Sequence, residues 1–109
     1  MARVSKAQKK RSARTLSVSH RARLVSELRA DARLASAYLN AAAEEKDRRV
    51  YLTALRTIAE AQGMAKVAKA AGVPRESLYR ALSSGGNPRL STLHAILKAA
   101  GLKLAVERI

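Results

Sequence analysis

The residues of this chain best placed to do chemistry are Arg75, Glu76, Tyr79 and Arg80, which fall within six consecutive positions. On a helix with Leu78, Ala81 and Leu82 turned inward, these four and Ser83 face out. An exposed arginine on a helix in the major groove forms a fork of hydrogen bonds to guanine O6 and N7, so the chemistry on offer is the reading of DNA. Glu76 repels phosphate; facing DNA it either accepts from cytosine N4 or holds a neighbouring arginine, and the second role is favoured. The duller readings are that Arg75 and Arg80 solvate an exposed helix face and that Tyr79 packs on the domain. Catalysis has no such support. The chain holds no cysteine, and its two histidines, His20 and His94, lie far apart. No nucleophile, base and orienting group can be assembled, and no acidic spacing completes a metal site. No catalytic residue, metal or cofactor is therefore expected.

These side chains need a scaffold. Met64 to Ser84, MAKVAKAAGVPRESLYRALSS, reads as two short helices joined by a tight turn. Val67, Ala68 and Ala71 share one stripe of the first helix. Gly72 suits the left-handed position after a helix, and Pro74 suits the first turn of the next, which runs to about Ser83. Two steeply crossing helices need a small residue at the contact (Ala68), glycine in the turn and a branched apolar residue opposite (Leu78). The expectation is a helix-turn-helix. A helical hairpin in an ordinary bundle shares the pattern, but two outward arginines and the basicity of the chain favour the DNA-binding form.

The net charge is +14 and the isoelectric point about 11.3, a field that favours a polyanion as partner. Three Tyr with no Phe or Trp leave an aliphatic core and predict an all-α domain. They are also a poor supply for RNA modules that stack single-stranded bases on aromatic rings. The length is that of one domain. The lack of cysteine suits a reducing compartment. With no long apolar run and no apolar segment behind the basic amino terminus, a cytoplasmic protein without a membrane span is expected.

Residues 1–30 carry nine Lys or Arg against Glu27 alone, a balance of +8; the remainder holds thirteen against seven, or +6. Residues 1–14 are read as a basic flexible arm that tracks phosphates or enters a minor groove, or else as a solubilising tail. Residues 15–46 are read as an N-terminal helical segment for dimer or partner contact. In it Leu16 and Val18 alternate like a short strand, Ser19 caps a helix carrying Leu24, Val25 and Leu28, and Asp31 caps another carrying Leu34, Ala35, Tyr38, Leu39 and Ala42. Residues 47–109 form the expected DNA-binding domain. Asp47 caps a helix from Arg48 to Gln62, with Tyr51, Leu52, Leu55, Ile58 and Ala59 on its inner face and Gly63 as its stop. Ser84 to Pro88 is a loop, and its glycines are better explained by a turn than by a phosphate cradle. Ser91 caps a last helix carrying Leu93, Ile96, Leu97 and Ala100, ended by Gly101.

Leu102 to Ile109 alternates with Leu102, Leu104 and Val106 on one face, the pattern of a short C-terminal strand. Its backbone groups need partners that a helical domain does not supply. Three solutions are open: the same strand of a second copy, Thr15 to Ser19, or the sheet of another protein. The second copy is favoured, because a twofold homodimer suits a palindromic operator.

AYLNAAAEE, YLTALRTIAEAQGM, GVPRESLYRALS and GNPRLSTLHAILKAAGLKLAV, in that order, span roughly two thirds of the chain and resemble the addiction-module antidote proteins, the HigA-type antitoxins with a lambda-repressor-like helix-turn-helix. The resemblance implies an all-α DNA-binding subunit with additional N-terminal helices. It also implies repression of its own operon and neutralisation of a RelE/ParE-like ribonuclease toxin. By motif position Arg75, Glu76, Tyr79 and Arg80 carry over as groove-facing residues, with Ser77 and Ser83 beside them. Lys66, Lys69 and the Gly85 to Arg89 loop, with Asn87 and Arg89, carry over as contacts to the DNA backbone. Segments that cover a basic toxin are commonly acidic, whereas the first thirty residues here are basic, which points the arm toward DNA. A stand-alone repressor with no toxin partner is the alternative.

If the arm tracks phosphates, deleting Met1 to Arg14 weakens binding to all DNA and flattens the slope of log affinity against log salt by about one unit per lost phosphate contact. Fluorescence anisotropy across a salt series measures this; an unchanged slope makes the arm a tail.

Overall fold

A computed structural model describes residues 20–109, in which six helices and no strand occur. They are α1 (20–30), α2 (Ala32–Ala43), α3 (Arg48–Gln62), α4 (Met64–Ala71), α5 (Arg75–Ala81) and α6 (Leu90–Ala99). The arm, the strand-like stretch Thr15 to Ser19 and the cap at Ser19 lie outside the described residues. No described helix is long and apolar enough to cross a membrane.

Local signals place most helix ends. The Asp31 carboxylate accepts hydrogen bonds from the Arg33 and Leu34 amides at 2.9 and 3.3 Å, and Asp47 accepts from the Arg49 amide at 2.9 Å. Each satisfies amides that a helix start leaves without partners. At the other ends, Gly72 and Gly101 have φ of 70° and 76°. In both, the next residue's amide reaches back to the carbonyl five positions earlier: Val73 to Ala68 at 3.0 Å, Leu102 to Leu97 at 2.8 Å. This is the Schellman arrangement, and its usual apolar contact is present, since Val73 and Leu102 both pack on the core.

Leu55, Ile58 and Ala59 of α3 form the centre of the core, met by Val67 and Ala68 from α4, Leu78 from α5 and Ile96 and Leu97 from α6. α2 packs along α3, and its Ala35, Leu39 and Ala42 join the same cluster together with Leu28 of α1. Arg29 of α1 donates to the Ala61 carbonyl at 2.7 Å, placing a cation at the carboxyl end of α3, where the helix dipole favours it. Thr57 is buried on α3 without a penalty because its hydroxyl donates to the Thr53 carbonyl at 3.0 Å.

Three expectations change. Ser91 does not cap α6. The Arg89 carbonyl already accepts from the Leu93 amide at 3.0 Å, so the helix begins at Leu90, as soon as the chain has passed Pro88. The helix after the tight turn starts at Arg75 and ends at Ala81, with Pro74 as its extended N-cap residue. Leu102 to Ile109 carries no regular secondary structure in the single chain; alternation supplies two faces, but a strand also needs a neighbour, and among the described residues none stands beside it.

Between α5 and α6 the chain doubles back, and the Gly86 amide donates to the Ser83 carbonyl at 2.8 Å. A Cβ on Gly86 would lie 2.1 Å from the Ala81 carbonyl oxygen, whereas one on Gly85 meets nothing within 4 Å. Gly86→Ala is therefore expected to lower stability by about 1–3 kcal/mol, as overpacking does. Gly85→Ala changes it by less than about 0.5 kcal/mol. Chemical denaturation of both variants tests this, and equal effects would contradict the close approach.

Candidate nucleic-acid interface

Leu78 is fully buried and Leu82 nearly so, which anchors α5 by one edge and fixes what its other side presents. Arg75, Glu76 and Arg80 are exposed; Ser77, Tyr79 and Ser83 are half-buried. On the helix before it, Lys66 and Lys69 are exposed, and after it so are Asn87 and Arg89. The ten candidates therefore differ in how free they are.

Tyr79 packs its ring against the core and has two guanidinium groups over it, Arg75 at 5.8 Å and Arg56 of α3 at 5.5 Å from the ring centre. Both are within cation–π range. Ser83 donates its hydroxyl to the Arg80 carbonyl at 2.7 Å, so it finishes the end of α5 and does not stand free. Asn87 accepts at Oδ1 from Arg48 at 3.3 Å, which leaves its amide nitrogen as a donor toward solvent. Arg48 also donates to the Gly86 carbonyl at 2.6 Å. Glu76 forms no ion pair with Arg75 or Arg80 among the described residues, so the favoured role of holding a neighbouring arginine is not found. Its place in the first turn of α5 accounts for it instead, since the amino end of a helix favours negative charge.

Three arginines outside the sequence-based set belong to this surface. Arg56 reaches Tyr79 and also pairs with Glu60, one turn on, at 3.0 Å. Glu60 is shared with Arg21 of α1, which approaches its other carboxylate oxygen at 2.5 Å. Arg48 stands at the start of α3 and pins the loop that carries Asn87. The (i, i+4) spacing of Arg56 and Glu60 was readable in the sequence. The contacts with Tyr79, Gly86 and Asn87 were not, because they join α3 to residues more than twenty positions away.

Among the described residues no group of three or more His, Asp or Glu side chains could hold a metal ion. What the surface can do is bind anions. Lys66, Lys69, Arg75, Arg80 and Arg89 are exposed cations on α4, on α5 and at the start of α6, with Glu76 the exposed carboxylate among them, and Glu60 of α3 is occupied by two arginines.

A family model described as "Probable addiction module antidote protein" matches residues 20–108. An uncharacterized protein of Haemophilus influenzae is 41% identical over 71 residues, which are 65% of this chain and 73% of the relative. No solved structure matches the chain significantly. The chain belongs to the family of probable addiction module antidote proteins, the antitoxin side of toxin–antitoxin modules.

The amino end of α3, from which Arg48 reaches the loop, is held by Asp47. The side chain of Arg49 bonds both Asp47 carboxylate oxygens, and this, with the Arg49 amide, holds the carboxyl below its ordinary value of 3.8. A carboxyl depressed by folding stabilises above its unfolded value, and the contribution is lost as pH falls through the folded one. Titration by NMR is expected to give Asp47 a midpoint below that of an unfolded peptide, and Arg49→Ala is expected to raise it. No movement in that variant would show the pair to be absent in solution.

Proposed function

We propose that this member of the antidote family is a sequence-specific DNA-binding regulator, the antitoxin of a type II toxin–antitoxin module that represses its own operon. The observation that carries this reading is the α4–α5 pair. Its helices are joined through a Schellman turn at Gly72, α5 is anchored by Leu78 and Leu82, and Arg75 and Arg80 are left exposed on a chain of net charge +14. In this reading the pair is a lambda-repressor-like helix-turn-helix, and α5 enters the major groove with Arg75 and Arg80 directed at base edges.

Tyr79 acts in that arrangement through Arg75, holding its guanidinium over a fixed ring. Lys66, Lys69, Asn87 and Arg89 bind phosphates on either side, and Arg48 keeps the Asn87 loop in place for that contact. Ser83 and Glu76 shape and polarise α5 rather than read bases. The partner DNA is a palindromic operator bound by a homodimer, the place of action is the cytoplasm, and neither cofactor nor catalysis is required. The toxin neutralised is a RelE/ParE-like ribonuclease, which the family description supports through the antidote role alone. A second reading, a stand-alone repressor without a toxin, draws support from the basic amino-terminal thirty residues, which are poorly suited to covering a basic toxin.

Arg80→Ala is expected to cost about 1–3 kcal/mol on the promoter fragment of its own operon and to relax discrimination at one base pair. Lys69→Ala is expected to weaken binding to specific and scrambled fragments alike. Quantitative mobility shifts on both fragments separate the two effects, and unchanged affinity and preference in Arg80→Ala would exclude α5 as the reading helix.

A further inference from the structure

Three of the five exposed large apolar side chains of the described residues lie beyond Gly101: Leu104, Val106 and Ile109 are 49%, 95% and 121% exposed. Among the described residues no backbone group from Lys103 onward enters a backbone hydrogen bond, while Leu102 is fixed by its amide on Leu97 and its side chain on the core. A segment with an alternating pattern, exposed apolar residues and open backbone groups is an edge awaiting a strand.

We propose that this segment pairs antiparallel with the same segment of a second copy, in the register that sets Ala105 against Ala105 across the twofold axis. The proposal rests on the homodimer reading above and assigns its interface. The sequence is self-complementary about Ala105. Lys103 faces Glu107 of the second copy on one side of the ribbon, and Leu104 faces Val106 on the other, each pair occurring twice. Other registers fail on particular residues. Shifting by one position sets apolar side chains against charged ones on the same face. Centring on Leu104 sets Lys103 against Ala105 and needs Leu102, whose side chain is packed on the core, opposite Val106. Centring on Val106 sets Glu107 against Ala105 and so removes Lys103 from Glu107.

A two-stranded ribbon is marginal alone, so the apolar face of the pair needs a seat. A groove of about 390 Å³ lies beside the segment, formed by His94, Leu97 and Lys98 of α6 with Leu102, Lys103 and Leu104. In the pair it takes the second copy's Val106, which faces Leu104.

The test is made on the full chain without DNA, so that its outcome is separate from DNA recognition. Sedimentation equilibrium at low salt is expected to show a dimer. Lys103→Glu, an exposed position, is expected to raise its dissociation constant about tenfold or more, since both ion pairs become repulsions, and the double variant Lys103→Glu with Glu107→Lys to restore it to within about threefold. Facing Cα atoms in an antiparallel pair are about 4.5 or 5.5 Å apart, within disulfide reach. Ala105→Cys, placed in a chain that has no other cysteine, should therefore link two copies on air oxidation. A dimer indifferent to the charge reversal and not linked through position 105 overturns the register while leaving the homodimer reading intact. A monomer overturns both and gives the segment to a partner other than a second copy.

Discussion

A core that contains no phenylalanine or tryptophan can reach native density only by bringing backbones close together, and the rest of this fold follows from that requirement. Ala35, Ala54, Ala59, Ala61 and Ala68 are all buried at helix contacts, where a larger side chain would hold the axes apart. Close helices leave little room for connections, and those between successive helices up to α5 are short: Asp31 alone lies between α1 and α2, and Gly63 alone, at φ 98°, between α3 and α4. The α4–α5 turn is three residues. α5 itself is only seven residues long, too short to be stable by its own hydrogen bonds, and persists because Leu78 and Leu82 are fastened in the aliphatic core. The position of its arginines is thus a consequence of alanine packing some distance away.

What was legible in the sequence was whatever is decided within a few residues. Asp31 and Asp47 cap because their carboxylates reach amides two or three positions on, and Gly72 and Gly101 end helices because only their own backbone angles are at issue. The inner faces of α3 to α6 could be read from period alone, with Ala71 and Ala81 less covered than expected and Thr57 and Thr92 more so. Interactions that join distant residues could not be read. Nothing around position 48 announces that its arginine will bond Gly86 and Asn87, and nothing around position 56 announces Tyr79. The start of α6 differs from the sequence reading for a related reason: Ser91 is a good capping residue, but past Pro88 the Arg89 carbonyl already accepts from the Leu93 amide and opens the helix.

The alternation at the C-terminal end belongs to a third category. The pattern is present in the residues, yet regular structure is absent from the single chain, since a strand is a property of two segments and the sequence describes one. Hydrophobic periodicity reports which face a segment would bury and is silent on whether the burying surface belongs to the same molecule.

Glu60 illustrates how a strongly basic protein keeps its charge in order. It sits between Arg21 and Arg56, and Arg56 also lies over Tyr79, so one carboxylate restrains two guanidinium groups at the edge of the proposed DNA face. In this position Glu60 is a counterion built into the chain. A phosphate that takes Arg56 must displace a tethered carboxylate, which stays beside the site, whereas a phosphate that meets Lys66 or Arg75 displaces an ion that diffuses away. The two events differ in their entropy, and only the second responds to the salt in the buffer. The number of arginines touching a bound polyanion and the number of ions released on binding are therefore separate quantities for this molecule, and the difference between them is a measure of how far Glu60 has been pushed aside.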